Sequence, residues 1–161
     1  TWPGAKFRVD TENAAGTVTW TASSPAVSIN GNIMTVKSNP AGVTLTGTDA
    51  DGQTVTLNMG SNWFAQSATK WEWLSGDYDG TAIYSCRQLG AQVASSSALQ
   101  GIISEWGELE TYDGWTNLKN NWLYSSTTVV SGNGVKSTIA YLFPGGQEGQ
   151  LTGLRGYYAC R

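Results

Sequence analysis

Cys86 and Cys160 are the only cysteines of this chain, and no histidine accompanies them. Two isolated cysteines are either bridged, which points to an oxidising compartment, or held as a reduced buried pair. The bridge is the expectation. It would close nearly half of the 161 residues and contribute up to about 4.5 kcal/mol by restricting the unfolded chain. The missing histidine removes whole classes of chemistry. There is no Ser–His or Cys–His pair and no imidazole metal ligand, and Cys86 as a lone nucleophile would lack a base.

The stretch from Ile102 to Trp122 lies between the cysteines and organises the second half of the chain. Its first part ends an amphipathic helix that starts near Ser96 or Ser97. Leu99, Ile102, Ile103 and Trp106 follow i, i+3, i+4, i+7 spacing, which predicts that all four face the core. Gly107 stands where a terminating glycine belongs. An earlier helix is read from Thr81 to Leu89, capped by Asp79 after a turn at 76–80. Ile83, Cys86 and either Arg87 or Leu89 share its inner face, and Gly90 stops it. Trp71–Leu74 alternates as a strand would. Glu108 to Asn121 has neither helix nor strand period. Three strand candidates follow: Trp122–Ser126, Val135–Phe143 and Leu154–Arg161.

Residues 5–58 read differently. Short alternating runs recur every 8–12 residues between Gly and Asn turns, as in a small β-sandwich. They are 6–9, 17–21 (Val18 and Trp20 on one face), 26–29, 33–36, 43–48 (Val43 and Leu45 on one side) and a last run in which Val55 and Leu57 continue the alternation. Asp49-Ala50-Asp51-Gly52 resembles the opening of a calcium loop, but no closing Glu follows, so a hairpin turn is the expectation. Composition shifts at Met59–Asn62, which places a domain boundary near residue 60: an all-β module at 1–60 and an α+β module at 61–161.

Lys and Arg number nine and do not cluster, and the net charge is −3. A nucleic-acid or anionic-membrane surface needs a concentrated basic field, so neither partner is expected. No run approaches the ~18 apolar residues of a membrane span, so no membrane insertion by this stretch is expected. There is no charged-then-apolar leader either, so an exported protein of this kind would be a piece of a longer chain. Glu105, Glu108, Glu110 and Asp113 lie close in sequence and could in principle serve glycoside cleavage. A solvated helix end and loop accounts for them more simply. No enzyme activity, metal or other cofactor is expected.

Several strings match one family in combination: Pro3-Gly4-Ala5-Lys6-Phe7, Thr19 to Pro25, Trp63-Phe64, Ser104-Glu105-Trp106-Gly107, Trp122 to Ser126 and Tyr158-Ala159-Cys160-Arg161. The order strand, helix, helix, long loop, strands, with one cysteine in the first helix and one in the last strand, resembles a C-type-lectin-like domain. The preceding module resembles a bacterial Ig-like domain. The tandem resembles the C-terminal tip of the intimin–invasin family of enterobacterial outer-membrane adhesins. The resemblance implies an extracellular location at a bacterial cell surface, with an outer-membrane β-barrel anchor and a rod of Ig-like domains upstream. It also implies a protein receptor on a host cell or another bacterium. Two departures are visible. Trp115-Thr116-Asn117 lacks the Asp of the Trp-Asn-Asp calcium motif of sugar-binding C-type lectins, so calcium-dependent glycan binding is not expected. Gly90-Ala91-Gln92 lacks the acid that helps the invasin branch bind integrin.

Tyr112 and Trp115 sit in the aperiodic segment among Asp113, Gly114, Asn117 and Lys119. Loop aromatics framed by small polar residues suit a binding hot spot, although for Trp115 core packing is the equal alternative. The receptor-contact expectation covers three loops. These are 111–120 with Tyr112, Asp113, Trp115, Asn117 and Lys119; 127–134 with Asn133; and 144–153 with Gln147 and Glu148. The competing readings are a carbohydrate-binding module on the same loops and a structural or self-association tip.

Overall fold

The computed structural model describes residues 1–70, 80–151 and 156–161. They fall into two compact units, Thr1–Trp63 and Phe64–Arg161. The expected strand at Trp71–Leu74, the turn at 76–79 with its Asp79 cap, and positions 152–155 lie outside the described residues.

The first unit holds six short strands: β1 (Lys6–Arg8), β2 (Thr19–Ala22), β3 (Val27–Asn30), β4 (Ile33–Val36), β5 (Thr44–Thr48) and β6 (Thr54–Asn58). They form two antiparallel three-stranded sheets, ordered β1-β4-β3 and β2-β5-β6. The period-2 pattern accounts for both. Trp20, Val27, Met34 and Leu45 come from different strands of the two sheets and share one buried cluster with Ala26 and Val43. β3 and β4 are joined through Gly31-Asn32, with Asn30 opposite Ile33 and Gly31 at a φ of 61°. In the β5–β6 turn the Asp49 carboxylate does structural work. It accepts the backbone N–H of Ala15 at 3.1 Å, of Asp51 at 3.0 Å and of Gln53 at 2.8 Å. The alternation at Val55 and Leu57 is present, and register puts them beside Gly47 and Leu45. Yet both are exposed, because β6 is an edge strand with every residue open to solvent.

The second unit is built on a five-stranded sheet ordered β10-β9-β8-β11-β7. Its strands are β7 (Gln66–Lys70), β8 (Trp122–Val130), β9 (Lys136–Leu142), β10 (Gln147–Leu151) and β11 (Tyr157–Cys160). Only the β8–β11 pairing among them is parallel. Helix α1 (Gly80–Gln88) lies against β11, and α2 (Ser96–Trp106) against β8. Cys86 and Cys160 are bridged, with their Cα atoms 5.2 Å apart, and both are fully buried. The bridge ties α1 to the central part of the sheet. This is the expected pair on the expected elements.

Three details differ from the sequence reading. The inner face of α1 is Ala82 and Cys86, while Ile83, Arg87 and Leu89 are exposed. On so short a helix the disulfide fixes which stripe turns inward, and the neighbouring small residue fits beneath it. Leu99 and Ile102 of α2 are buried as expected, but Ile103 and Trp106 are only half-buried, so the inward face is narrower than the spacing predicts. Finally, Gln147–Leu151 is a strand where a loop was expected. Gly149 explains both the pairing and its poor signature. A Cβ there would lie 2.8 Å from the Trp122 ring, so the indole lies across a strand that shows no apolar alternation.

Candidate functional site

The site is the end of the sheet reached by the segment after α2 and by the β9–β10 turn. The Ser95 hydroxyl caps α2, accepting the Ala98 N–H at 3.3 Å. At the far end Gly107, with φ 71°, donates its N–H to the Ile103 carbonyl at 2.8 Å and stops the helix. The chain then passes through two 3-10 turns, Leu109–Thr111 and Thr116–Leu118. Leu109, Trp115 and Leu118 point inward and are fully buried. Tight turns rather than a regular element space these three, which is why the segment shows no period.

Of the two roles expected for Trp115, contact or core, the buried position is that of core packing. Its indole meets the Phe64 ring edge-on inside the unit. The small polar residues around it serve the turns that carry it inward. Tyr112 stays half-buried, edge-on against Trp106 with ring centroids 5.3 Å apart. Asp113, Asn117 and Lys119 are exposed. Of the four acidic residues read as a catalytic candidate, Glu105, Glu108 and Asp113 are exposed and Glu110 is half-buried.

Asparagines fasten this segment to the sheet. Asn120 has a positive φ of 61° and donates its N–H to the Phe143 carbonyl at 2.9 Å. The Asn121 side-chain amide donates to the carbonyls of Asn117 at 3.0 Å and Lys119 at 3.1 Å. The Phe143 N–H donates to the Asn121 carbonyl at 3.2 Å. Lys119-Asn120-Asn121 was readable only as polar loop. A signal was present, since Asn tolerates the left-handed conformation that such a corner needs.

Register decides which of the three expected loops come together. Trp122 stands opposite Leu142, and Leu142 opposite Gln147. The segment around 111–120 and the β9–β10 turn therefore share one end of the sheet. The β8–β9 turn with Asn133 lies at the other end of the nine-residue β8. Eight steps of about 3.3 Å put the two ends roughly 26 Å apart. At that end Asn133 closes its own turn, accepting the Val135 N–H at 3.3 Å and the Ser131 hydroxyl.

Gln147 and Glu148 begin β10, and the two differ in role. Gln147 is exposed at the site. The Glu148 carboxylate is tied back to α2 and β9, accepting the Gln100 amide at 3.0 Å. The Tyr141 hydroxyl lies 3.3 Å from both that carboxylate and the Ser96 carbonyl, and has one proton to give. Burial pushes the Tyr141 phenol above its usual range, and the Glu148 charge adds to it. The surface that results is mixed: a half-buried aromatic edge, one acid, one base and two carboxamides on a rigid floor of buried apolar side chains.

No helix among the described residues is long and apolar enough to cross a membrane. No family model matches the chain, and no curated protein matches it. Solved structures do. An intimin–Tir90 complex matches at a TM-score of 0.63 and 17% identity, over 99% of this chain and 84% of the intimin chain. A mutant intimin of EHEC O157:H7 matches at 0.60 and 16%, over 99% and 85%. The C-terminal 282-residue fragment of intimin, solved with the intimin-binding domain of the translocated intimin receptor, matches at 0.59 and 17%, over 98% of this chain and 57% of the fragment. At these identities the likeness is one of fold, and it runs through almost the whole chain: β-rich, two helices, one Cys86–Cys160 bridge, the fold of the intimin C-terminal tip.

Proposed function

We propose that this chain is the tip of an intimin–invasin-type adhesin at a bacterial surface, held upstream by an outer-membrane anchor. In this reading residues 1–60 form an Ig-like domain and 61–161 a C-type-lectin-like domain. The protein is not an enzyme, and its ligand is a protein on a host cell or another bacterium. One observation carries the reading: the match over nearly the entire chain to intimin fragments, two of which were solved with a receptor protein bound. The geometry supports it. Tyr112, Asp113, Asn117 and Lys119 are presented on a segment pinned by backbone hydrogen bonds and buried side chains, with Gln147 beside them at the start of β10, so little ordering entropy is lost when a partner binds. Trp115, Glu148 and Asn133 fall outside the contact set. Trp115 lies in the floor of the site, Glu148 is exposed but engaged by Gln100 and Tyr141, and Asn133 lies at the far end of the sheet.

The test is capture of host-cell and bacterial surface proteins by the 161-residue chain, beside a glycan array. A protein partner whose binding drops about tenfold or more on combining Asp113→Lys with Lys119→Glu, at unchanged melting temperature, is the expected result. Glycan binding without a protein partner would favour a carbohydrate-binding module. Undiminished binding by the charge-reversed chain would move the contact surface elsewhere.

A further inference from the structure

A cleft of about 510 Å3 lies beside the disulfide, away from the loop end. Its walls include Ile83 and Arg87 of α1, Ala91, Gln92 and Val93 of the following segment, and Ser126 of β8. Ile83 and Arg87 are one helical turn apart and face the same way. The walls are rigid. Gln92 exchanges backbone hydrogen bonds with Arg161 at 2.9 and 2.8 Å, and the Ala94 carbonyl accepts the Ser126 N–H at 2.8 Å. The Cys86–Cys160 bridge fixes α1 to β11. Arg87 is exposed, and among the described residues it makes no ion pair and no carboxylate lines the cleft.

We propose that this cleft binds an acidic–aliphatic motif of a protein partner, with a side-chain carboxylate on Arg87 and a neighbouring aliphatic side chain against Ile83, Ala91 and Val93. The guanidinium offers a planar, always-charged donor pair that matches a carboxylate, and Gln92 and Ser126 line the same cleft. The C-terminal end of α1 opposes an anion with about half a unit of negative charge, and the full charge of Arg87 outweighs it. Among the described residues no aromatic ring lines the cleft, and its apolar walls suit aliphatic side chains. This contact is independent of the loop end and of the receptor proposed for it.

Titration of the 15N-labelled 161-residue chain with the blocked tripeptide acetyl-Leu-Asp-Leu-amide tests the proposal. The amide signals of Arg87, Gly90 to Val93 and Ser126 are expected to shift. The Asn analogue of the peptide should bind about tenfold more weakly or worse. Arg87→Gln should remove the response without changing the melting temperature, because Arg87 is exposed. Absence of shifts at those residues, equal binding of the Asn peptide, or an undiminished response of Arg87→Gln each overturns it. So does N-acetylneuraminic acid shifting the same signals where the peptide does not, since the carboxylate would then belong to a sugar.

Discussion

The indole of Trp115 meets the ring of Phe64 edge-on, with ring centroids 5.8 Å apart and planes at 78°, and both side chains are fully buried. One partner opens the second unit and the other comes from the irregular segment beneath the site. The pair therefore couples the shape of the proposed recognition end to the interior. Trp115→Ala is expected to cost about 3–5 kcal/mol of stability. Trp106→Ala, at a half-buried side chain, should cost clearly less. Urea denaturation of the two variants decides between them, and equal losses would remove Trp115 from its anchoring role. A double-mutant cycle with Phe64→Leu should show a coupling of about 0.5–1.5 kcal/mol.

Reduction of the Cys86–Cys160 bridge releases a link across a sequence separation of 74 residues. The stability of the reduced chain should fall by up to about 4.5 kcal/mol. Guanidinium unfolding with and without reductant measures it. A loss near zero would mean that the surrounding packing of Ala82, Tyr158 and Val93 holds α1 in place unaided.

Tyr141 predicts an alkaline limit. Its phenol is raised by burial first and by Glu148 second, so the folded state keeps the proton after the unfolded state has lost it. The stability due to Tyr141 is complete below about pH 10, the unfolded value, and declines as pH rises from there through the folded one. Tyr141→Phe should flatten this decline. Denaturant midpoints measured from neutral pH into the alkaline range give the comparison, and an unchanged slope would exclude Tyr141 as its source.

Asp49 predicts the opposite limb. Its carboxylate is lowered by the backbone N–H of Ala15 first and Gln53 second, against a smaller opposing effect of burial. Its contribution is present above the unfolded value of about 3.9 and lost as pH falls through the folded one. Asp49→Ala should lower the melting temperature at neutral pH, with the gap to the parent chain narrowing on acidification. A gap independent of pH would show that the carboxylate charge is not what holds the turn.

Gly149 is the position at which β10 passes under Trp122. Gly149→Val places two methyl groups where the indole lies and should destabilise the unit by about 1–3 kcal/mol. The Trp122 fluorescence should change with it. A tolerated substitution would mean that the indole has another place to go.

Part of this protein was legible in the sequence because it depends on local order. Alternation marked β2 to β5, the run of Leu99 and Ile102 marked the inner face of α2, Gly107 marked its end, and two lone cysteines marked their own bridge. Each follows from a side-chain period, a backbone conformation or a count, and these are properties of a few neighbouring residues. Tertiary structure decided the rest. β10 exists because β9 offers it a partner and Trp122 covers its glycine, neither of which a five-residue polar run can announce. Trp115 is interior because two tight turns aim it at Phe64, which precedes it by half the length of its unit. Of the three expected contact loops, the ladder of β8 and β9 brought two to one end and sent the third to the other. Burial and proximity are set by pairings across long sequence separations, and no single stretch of the chain contains both partners.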